Sequence, residues 1–319
     1  MPEPVIPRSP ASAQQRRFTL GPALLFCPAS RPERFPKAAE RADAVIADLE
    51  DAVVPGEKEQ ARQNVVQALN WEDPGLDPAT TMVRVNAASS GERALQEHRA
   101  DLDALAGTEL RQVVLPKCET PEELDEVAAR LPGVGIIPQI ETPRGVLRAG
   151  ELAEHPAVTA LFWGTEDLIA GLGGVTARRP DGSPRGVIGH IRHTVLLTAA
   201  ASGIPAIDTI CGSLHDTQRL AVEAEDAAAE GFIAKACVHP DQVAAVRRAY
   251  TPEDTDVEWA KALIAAFEQE AGLAVGAGRD AAPTAVGAFG FRDEMVDAPV
   301  VLQAQRILAR YDATRVVRR

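Results

Sequence analysis

Charged side chains crowd the ends of short apolar runs along this chain of 319 residues. Ser30, Arg31, Arg34 and Lys37 follow the run ending "FCPA", Asp48, Glu50 and Asp51 close "AVIADLED", and Arg84 and Asn86 interrupt "MVRVN". Further along come Lys117, Glu141, the pair Glu166 and Asp167, Asp208, Lys235 and His239. Any one such charge is often merely solvated. A whole ring of them is harder to dismiss, because buried charges persist only when paired or bound to metal. Arg84 and Glu141 follow strongly apolar runs and are expected to point into a polar mouth. Neighbouring strands lie about 4.8 Å apart, so carboxylates at successive strand ends, Glu141 and Asp167, can converge on one ion. Two carboxylates completed by water and a substrate oxygen form a hard, oxygen-rich shell that suits Mg²⁺ or Mn²⁺ rather than zinc. The histidines include no HExxH motif, and His190 and His193, three apart, follow a Gly/Pro-rich loop and make weak metal ligands on sequence grounds.

A repeated strand–helix unit must position these groups. Eight apolar runs, at 23–29, 44–50, 81–86, 111–117, 135–141, 160–166, 205–210 and 231–240, alternate with amphipathic Ala/Glu/Arg-rich stretches. In one of these, Thr120 and Glu123 have the spacing of a capping box; another, "DTQRLAVEAEDAAAEG", ends in a glycine, as helices often do. The count and size fit an α/β fold of the (β/α)8 TIM-type barrel, whose chemistry gathers at the carboxyl ends of the strands. An open doubly wound sheet is the alternative, but it announces a nucleotide site with a glycine-rich turn after an early strand. Here the first turn, "CPASRPERF", holds no glycine, and "GLGG" at 171–174 is not GxGxxG. The barrel is therefore expected over 20–250. A disordered leader is expected over 1–19, where Pro and Ser are frequent and no hydrophobic signal core occurs. The C-terminal extension, 251–319, reads as an amphipathic helix (256–272), a long Gly/Ala-rich segment (274–299) and a final helix.

A formal net charge of −13 argues against nucleic acid as a general partner, while leaving room for a local anion site built from clustered arginines. No apolar run approaches the length of a membrane span. Cys27, Cys118, Cys211 and Cys237 include no CxxC pair, which reads as four reduced thiols in a cytoplasmic protein.

Seven stretches, in order, carry a family resemblance: "LLFCPASRPERFPKA", "AVIADLEDAVVPGEKEQAR", "VRVN", "VVLPK", "IPQIETPRGV", "GTEDLIAGLG" and "AKACVHPDQV". Together they resemble the HpcH/HpaI aldolase superfamily, in its branch of citrate lyase β-subunits and CoA-ester lyases. The resemblance implies a Mg²⁺-dependent barrel that reversibly cleaves a 3-hydroxyacyl-CoA of the malyl-CoA or citramalyl-CoA type. The products would be acetyl-CoA or propionyl-CoA and a 2-oxo acid, glyoxylate or pyruvate. It implies that Glu141 of "IET" and Asp167 of "EDL" ligate the metal and that Arg84 binds the oxo acid. Ser30, Arg31, Arg34 and Lys37 would face the CoA phosphates. The ending "GAFGFRDEMVDAP" is similar to that of malyl-CoA and citramalyl-CoA lyases, which implies that Asp297 is an acid/base reaching a neighbouring subunit's site in a trimer or hexamer. Asp297 also stands where it can simply precede the last helix, beside a proline suited to a first turn. Within this scheme Asp48 and Glu50 are expected beside the metal and Arg84, orienting the arginine and lining the substrate. Asp51, on the other face by strand alternation, is expected to pair with a cation such as Arg62. Two stretches depart from the family pattern: "GHIRHTV" preserves only Arg192, and Cys211 and Ser213 replace an aromatic and an acid. Rival readings are a citrate lyase β-subunit-like lyase acting on a carrier-protein thioester, an aldolase on free 4-hydroxy-2-oxo acids, and a non-catalytic barrel. The full set of Arg84, Glu141, Asp167 and Asp297 argues against the last.

Overall fold

The computed structural model describes residues 18–70, 75–88, 91–214 and 216–316. All eight apolar runs are strands: β1 (Ala23–Pro28), β2 (Ala44–Asp48), β3 (Thr81–Arg84), β4 (Gln112–Leu115), β5 (Gly135–Ile140), β6 (Leu161–Trp163), β7 (Ala206–Asp208) and β8 (Ala234–Cys237). They pair in parallel, in chain order, and β8 returns to β1, so the sheet is a closed barrel with no free edge. The barrel helices are α1 (Phe35–Arg41), α2 (Lys58–Asn70), α3 (Glu92–Leu105), α4 (Pro121–Arg130), α5 (Pro143–Ala153), α6 (Glu166–Gly171), α7 (Gly186–Ala201) and α8 (Thr217–Glu230), with α9 (Val243–Tyr250) after β8. The capping box of Thr120 and Glu123 is present at α4. At α8, Asp216 caps the start and Gly231 ends the helix at φ +114°, a conformation that only glycine adopts without strain.

Alternation decides what enters the barrel. Leu24, Ala44, Ile46, Met82, Val114, Ile137, Phe162, Ile207, Ala234 and Ala236 form one buried interior cluster, while Leu25, Val45, Val83, Val113 and Ile136 are buried on the opposite face of the sheet. Counting two residues on from Ile46, Met82, Ile137 and Phe162 brings the chain to Asp48, Arg84, Gln139 and Gly164. These four therefore share the interior face, one layer nearer the carboxyl ends. Phe18, expected within the leader, is instead part of the interior cluster; its ring removes more apolar area from water there than a solvated tail would allow. The rest of that leader, residues 1–17, lies outside the described residues.

The second compact unit runs from Arg247 to Arg319. In it α10 (Asp254–Ala271) and α11 (Ala298–Val316) bury a shared cluster that includes Val257, Leu263, Phe267, Val301 and Leu308. The Gly/Ala-rich segment between them is tied down. Glu268 Oε1 accepts from the backbone N–H groups of Gly276 and Gly278, each at 2.8 Å, and Gln305 Nε2 donates to the carbonyls of Gly278 and Ala281. The segment ends in an antiparallel hairpin, β9 (Phe289–Phe291) and β10 (Glu294–Val296), that the sequence reading leaves as loop. Its two turn residues, Arg292 and Asp293, both have positive φ, the signature of a type I′ turn usually written with Asn or Gly. Among the described residues no helix is long and apolar enough to cross a membrane.

Candidate active site

Asp48 and Arg84 are register partners at the ends of β2 and β3, so their side chains emerge next to each other on the interior face. They meet as a fork: Arg84 Nε donates to Asp48 Oδ1 at 2.7 Å and Nη2 to Oδ2 at 2.6 Å. Such bidentate pairs are among the strongest and most directional in proteins. The guanidinium also lies over the Phe26 ring, 4.8 Å from its centroid. Burial alone would lower the Arg84 pKa, but the Asp48 and Glu50 carboxylates outweigh it and raise it. With Nε and Nη2 engaged by Asp48, Nη1 is the remaining corner of the fork. It lies 3.0 Å from Glu50 Oε2, yet off the line of a hydrogen bond, so Oε2 is buried without one.

The same aspartate bends the chain. Asp48 Oδ1 accepts from Glu50 N and Oδ2 from Ala52 N, which turns residues 49–52 off the strand path, as Asx side chains do. This corrects the expectation for Asp51. Beyond Asp48 strand alternation no longer applies, and Asp51 lies 3.6 Å from Lys117 Nζ and 4.0 Å from Arg84 Nη1. Arg62 pairs elsewhere, with Glu59, Glu97 and Asp101.

Glu141 follows β5 and is only 2% exposed. Oε1 accepts from the backbone N–H of Lys117 at 3.0 Å and Oε2 from Gln139 Nε2 at 2.6 Å. Lys117 makes its contact from a left-handed conformation, φ +51°, uncommon for a side-chain-bearing residue and frequent at functional sites. Just after β6, Gly164 makes room: a Cβ there would lie 2.6 Å from Glu141 Oε2. Lys117 Nζ then gathers the acids, donating to Glu50 Oε1 at 2.6 Å and lying 3.5 Å from Asp167 Oδ1. Asp167 is in the first turn of α6 and more open to solvent, its side chain 37% exposed.

Burial pushes the Glu141 carboxyl up to about 8; Glu50 and Asp167 add to the rise, while Lys117 and Arg84 oppose it. Glu50 is also raised by burial, against the pull of Arg84 and Lys117. A desolvated carboxylate short of positive charge, beside a second carboxylate open to solvent, is the donor set of a hard divalent cation. Among the described residues no three His, Cys, Asp or Glu side chains are arranged to hold a metal. A cation at Glu141 and Asp167 would therefore complete its shell with water and substrate oxygens, as a catalytic Mg²⁺ commonly does.

Behind the mouth lies a buried brace. Lys58 Nζ donates to the carbonyls of Leu49 and Glu50 and to Asn86 Oδ1, at 2.7, 2.8 and 2.5 Å. Asn86 is bound in turn to Asp101, and its carbonyl meets His98 Nδ1. On the other side of the barrel, Asp208 accepts from Trp163 and Lys235, and Arg192 pairs with Asp208 and Glu230. These side chains belong to the outward layer and link strands to helices. His193 is exposed on α7, 3.5 Å from Glu230. All four cysteines are free and buried. Burial raises Cys27 to about 11 and Cys118 well above its ordinary value, leaving neither as a thiolate nucleophile at neutral pH.

The structure thus brings Asp48, Glu50, Arg84, Glu141 and Asp167 into one cluster. Ser30, Arg31 and Arg34 occupy the β1–α1 turn on the same carboxyl face and Lys37 lies in the first turn of α1, with the three cations exposed. That turn is pinned by Ala29 N to Asp48 O and by Asn64 Nδ2 to Ala29 O. Asp297, in the second unit, is exposed just before α11, and its carbonyl accepts from Val300 N and Val301 N. Sequence reasoning assigned nothing to Gln139 and Gly164. The signal for both was parity, since each stands two residues past an interior apolar side chain.

Comparison with known proteins gives this geometry a context. The family model described as HpcH/HpaI aldolase/citrate lyase matches residues 23–240, which spans the whole barrel. A citrate lyase subunit beta-like protein of Mycobacterium tuberculosis is 42% identical over 290 residues, covering 91% of this chain and 95% of its own. The mitochondrial citramalyl-CoA lyase of Mus musculus is 30% identical over 318 residues, covering 93% and 88%. Among solved structures, CitE from Mycobacterium tuberculosis in complex with magnesium, acetoacetate and coenzyme A is 41% identical and superposes with a TM-score of 0.76, covering 92% of this chain and 98% of that one. The chain belongs to the HpcH/HpaI aldolase/citrate lyase family, a family of carbon–carbon lyases.

Proposed function

We propose that this chain is a Mg²⁺-dependent CoA-ester lyase. It reversibly cleaves a 3-hydroxyacyl-CoA of the malyl-CoA or citramalyl-CoA type into acetyl-CoA, or propionyl-CoA, and glyoxylate or pyruvate. The observation that carries the reading is the buried joint at the barrel mouth, where Arg84 is held by Asp48 and Glu50 beside the charge-starved Glu141. Support for the CoA class comes from the relatives named above, one a citramalyl-CoA lyase and one a structure holding magnesium and coenzyme A.

In this reading Glu141 and Asp167 hold the metal, which when bound supplies Lewis-acid polarisation of the oxo acid's carbonyl and carboxylate oxygens. Asp48 keeps the guanidinium of Arg84 from rotating, so that Nη1 faces the mouth and meets the oxo acid's carboxylate. A permanently charged group fixed in advance needs no reorganisation as negative charge gathers. Gln139 and the Lys117 N–H hold Glu141 in place. Cleavage begins when a base takes the hydroxyl proton; the O–H electrons form the new carbonyl, the C–C bond breaks and the thioester receives its electron pair as an enolate. Asp297, reaching the site of a neighbouring copy in a trimer or hexamer, protonates that enolate carbon, and in the synthetic direction takes a proton from the acyl-CoA methyl or methylene. Arg31, Arg34 and Lys37 offer cations to the CoA phosphates, with Ser30 as a hydroxyl donor.

The test is to incubate the protein with acetyl-CoA or propionyl-CoA, Mg²⁺ and glyoxylate or pyruvate, and to look for the hydroxyacyl-CoA by mass spectrometry. The Asp297→Asn variant runs alongside and is expected to lose about 10²–10⁴-fold in kcat while still binding CoA. Turnover of free 4-hydroxy-2-oxo acids with no dependence on CoA, or of a carrier-protein thioester only, would replace this reading with one of its rivals.

A further inference from the structure

Lys117 does more than terminate a strand. Its ammonium sits among three carboxylates, 2.6 Å from Glu50 Oε1, 3.5 Å from Asp167 Oδ1 and 3.6 Å from Asp51 Oδ2. Its main-chain N–H, presented from φ +51°, holds Glu141 Oε1. One residue thus touches both acids assigned to the metal and also the acid that faces Arg84. The two contacts differ in kind. The N–H to Glu141 leaves that oxygen a further lone pair and is compatible with a cation bound to it. The ammonium beside Asp167 is a positive charge drawn to the same carboxylate that a divalent ion would use.

We infer that the Lys117 side chain is a built-in counter-cation that competes with the divalent ion for Asp167 and, when displaced from it, stays on Glu50 and so keeps that carboxylate aimed at Arg84. The inference rests on the metal reading above. It makes Lys117 a positioning residue with two opposed effects: the ammonium weakens metal binding and sustains the oxo-acid site. A single and a double positive charge a few ångströms apart repel enough, even at the dielectric of water, to change an affinity by about tenfold. The geometry also explains why the grip on Glu141 comes from neutral donors, the Lys117 main-chain N–H and the Gln139 amide. An ammonium or guanidinium in their place would bring further positive charge, whereas these fix the carboxylate and leave its charge for the metal.

Lys117→Met removes the ammonium while keeping the stem and the main-chain N–H, Lys117→Gly also relieves the left-handed backbone, and Lys117→Arg restores the charge. Mg²⁺ binding to the chelator-treated full-length protein is measured by calorimetry for each, with oxo-acid KM and kcat read separately. The expected result is Mg²⁺ binding about tenfold tighter in the Met and Gly variants, near wild type in the Arg variant, with a higher oxo-acid KM in the first two. A merely structural lysine would weaken metal binding on removal, or leave it alone. Unchanged or weaker Mg²⁺ binding in the folded Met and Gly variants therefore overturns the inference. A wild-type protein that takes up no Mg²⁺ overturns the metal reading itself, and this inference with it.

Discussion

Gly164→Ala tests the site with a single methyl group. The added Cβ would stand 2.6 Å from Glu141 Oε2, 3.0 Å from Glu141 Cβ and 3.2 Å from Gln139 Nε2. Ordinary contact begins near 3.4 Å, so the carboxylate must retreat by about 0.8 Å. It cannot do so freely, because Lys117 N and Gln139 hold both its oxygens. A shift of roughly 1 Å in a catalytic group costs on the order of 10²-fold in rate, or about 2.7 kcal/mol. Overpacking at a buried position destabilises by about 1–3 kcal/mol, so the variant should still fold. The assay pairs kcat/KM for CoA-ester cleavage with a Mg²⁺ titration and a thermal melt. Gly150→Ala, at a helical position in α5 where an added Cβ meets nothing within 4 Å, is the control and should be neutral or slightly stabilising. If Gly164→Ala keeps wild-type kcat/KM and Mg²⁺ affinity, Glu141 is not a ligand held to tolerance and the site described here is misassigned.

Two further outcomes follow from the same cluster. Asp48→Asn strips a buried guanidinium of its bidentate partner and should destabilise by about 3–5 kcal/mol in urea unfolding, with activity lost; a change under about 1 kcal/mol would mean that Arg84 finds another partner. Glu141 gives a pH dependence whose sign is fixed by its shift from an ordinary 4.5 to about 8. Across that interval the folded chain retains a proton that the unfolded chain has released, so chelator-treated protein should lose stability as the pH rises from about 4.5 to 8. Mg²⁺ requires the ionised carboxylate and should bind more tightly over the same window, and a metal affinity flat across it, measured by calorimetry, would contradict the assignment.

How far the site was legible in the sequence depended on whether period-two alternation still held where each residue sits. Asp48, Arg84 and Gln139 each lie two residues past an interior apolar side chain and inherit its direction, and Glu141 lies two beyond Gln139. The same rule placed Asp51 wrongly, because the Asp48 carboxylate accepts the N–H groups of Glu50 and Ala52 and curls the chain out of strand geometry. Lys117 was visible as a charge after β4, but its reach to Glu50 and Asp167 depends on a positive φ that no residue type announces. Gly164 looked like any strand-end glycine, and the space it leaves is defined only by Glu141, more than twenty residues earlier in the chain. The β9–β10 hairpin was hidden for a related reason: its left-handed turn is written Arg292-Asp293 rather than Asn-Gly.

Charge balance joins the brace, the Asp48–Arg84 fork and the proposed metal into one requirement. Asp48, Glu50, Asp51, Glu141 and Asp167 face Arg84 and Lys117, so carboxylates outnumber cations at a mouth proposed to take anionic substrates. Arg84 alone cannot reverse that field, since its fork is already engaged by Asp48. Nor can Lys117, whose ammonium is shared among three acids. The surplus is relieved in part by the proton that buried Glu141 keeps up to about pH 8; with every acid ionised it calls for something of higher positive charge, because a desolvated carboxylate carries a penalty that a distant solvent ion does not relieve. A divalent cation would complete it, and in doing so would turn a site that repels an oxo acid into one that binds it. On this argument the excess of acids is what makes substrate binding conditional on the metal, and the brace of Lys58, Asn86 and Asp101 fixes the backbone that carries Glu50.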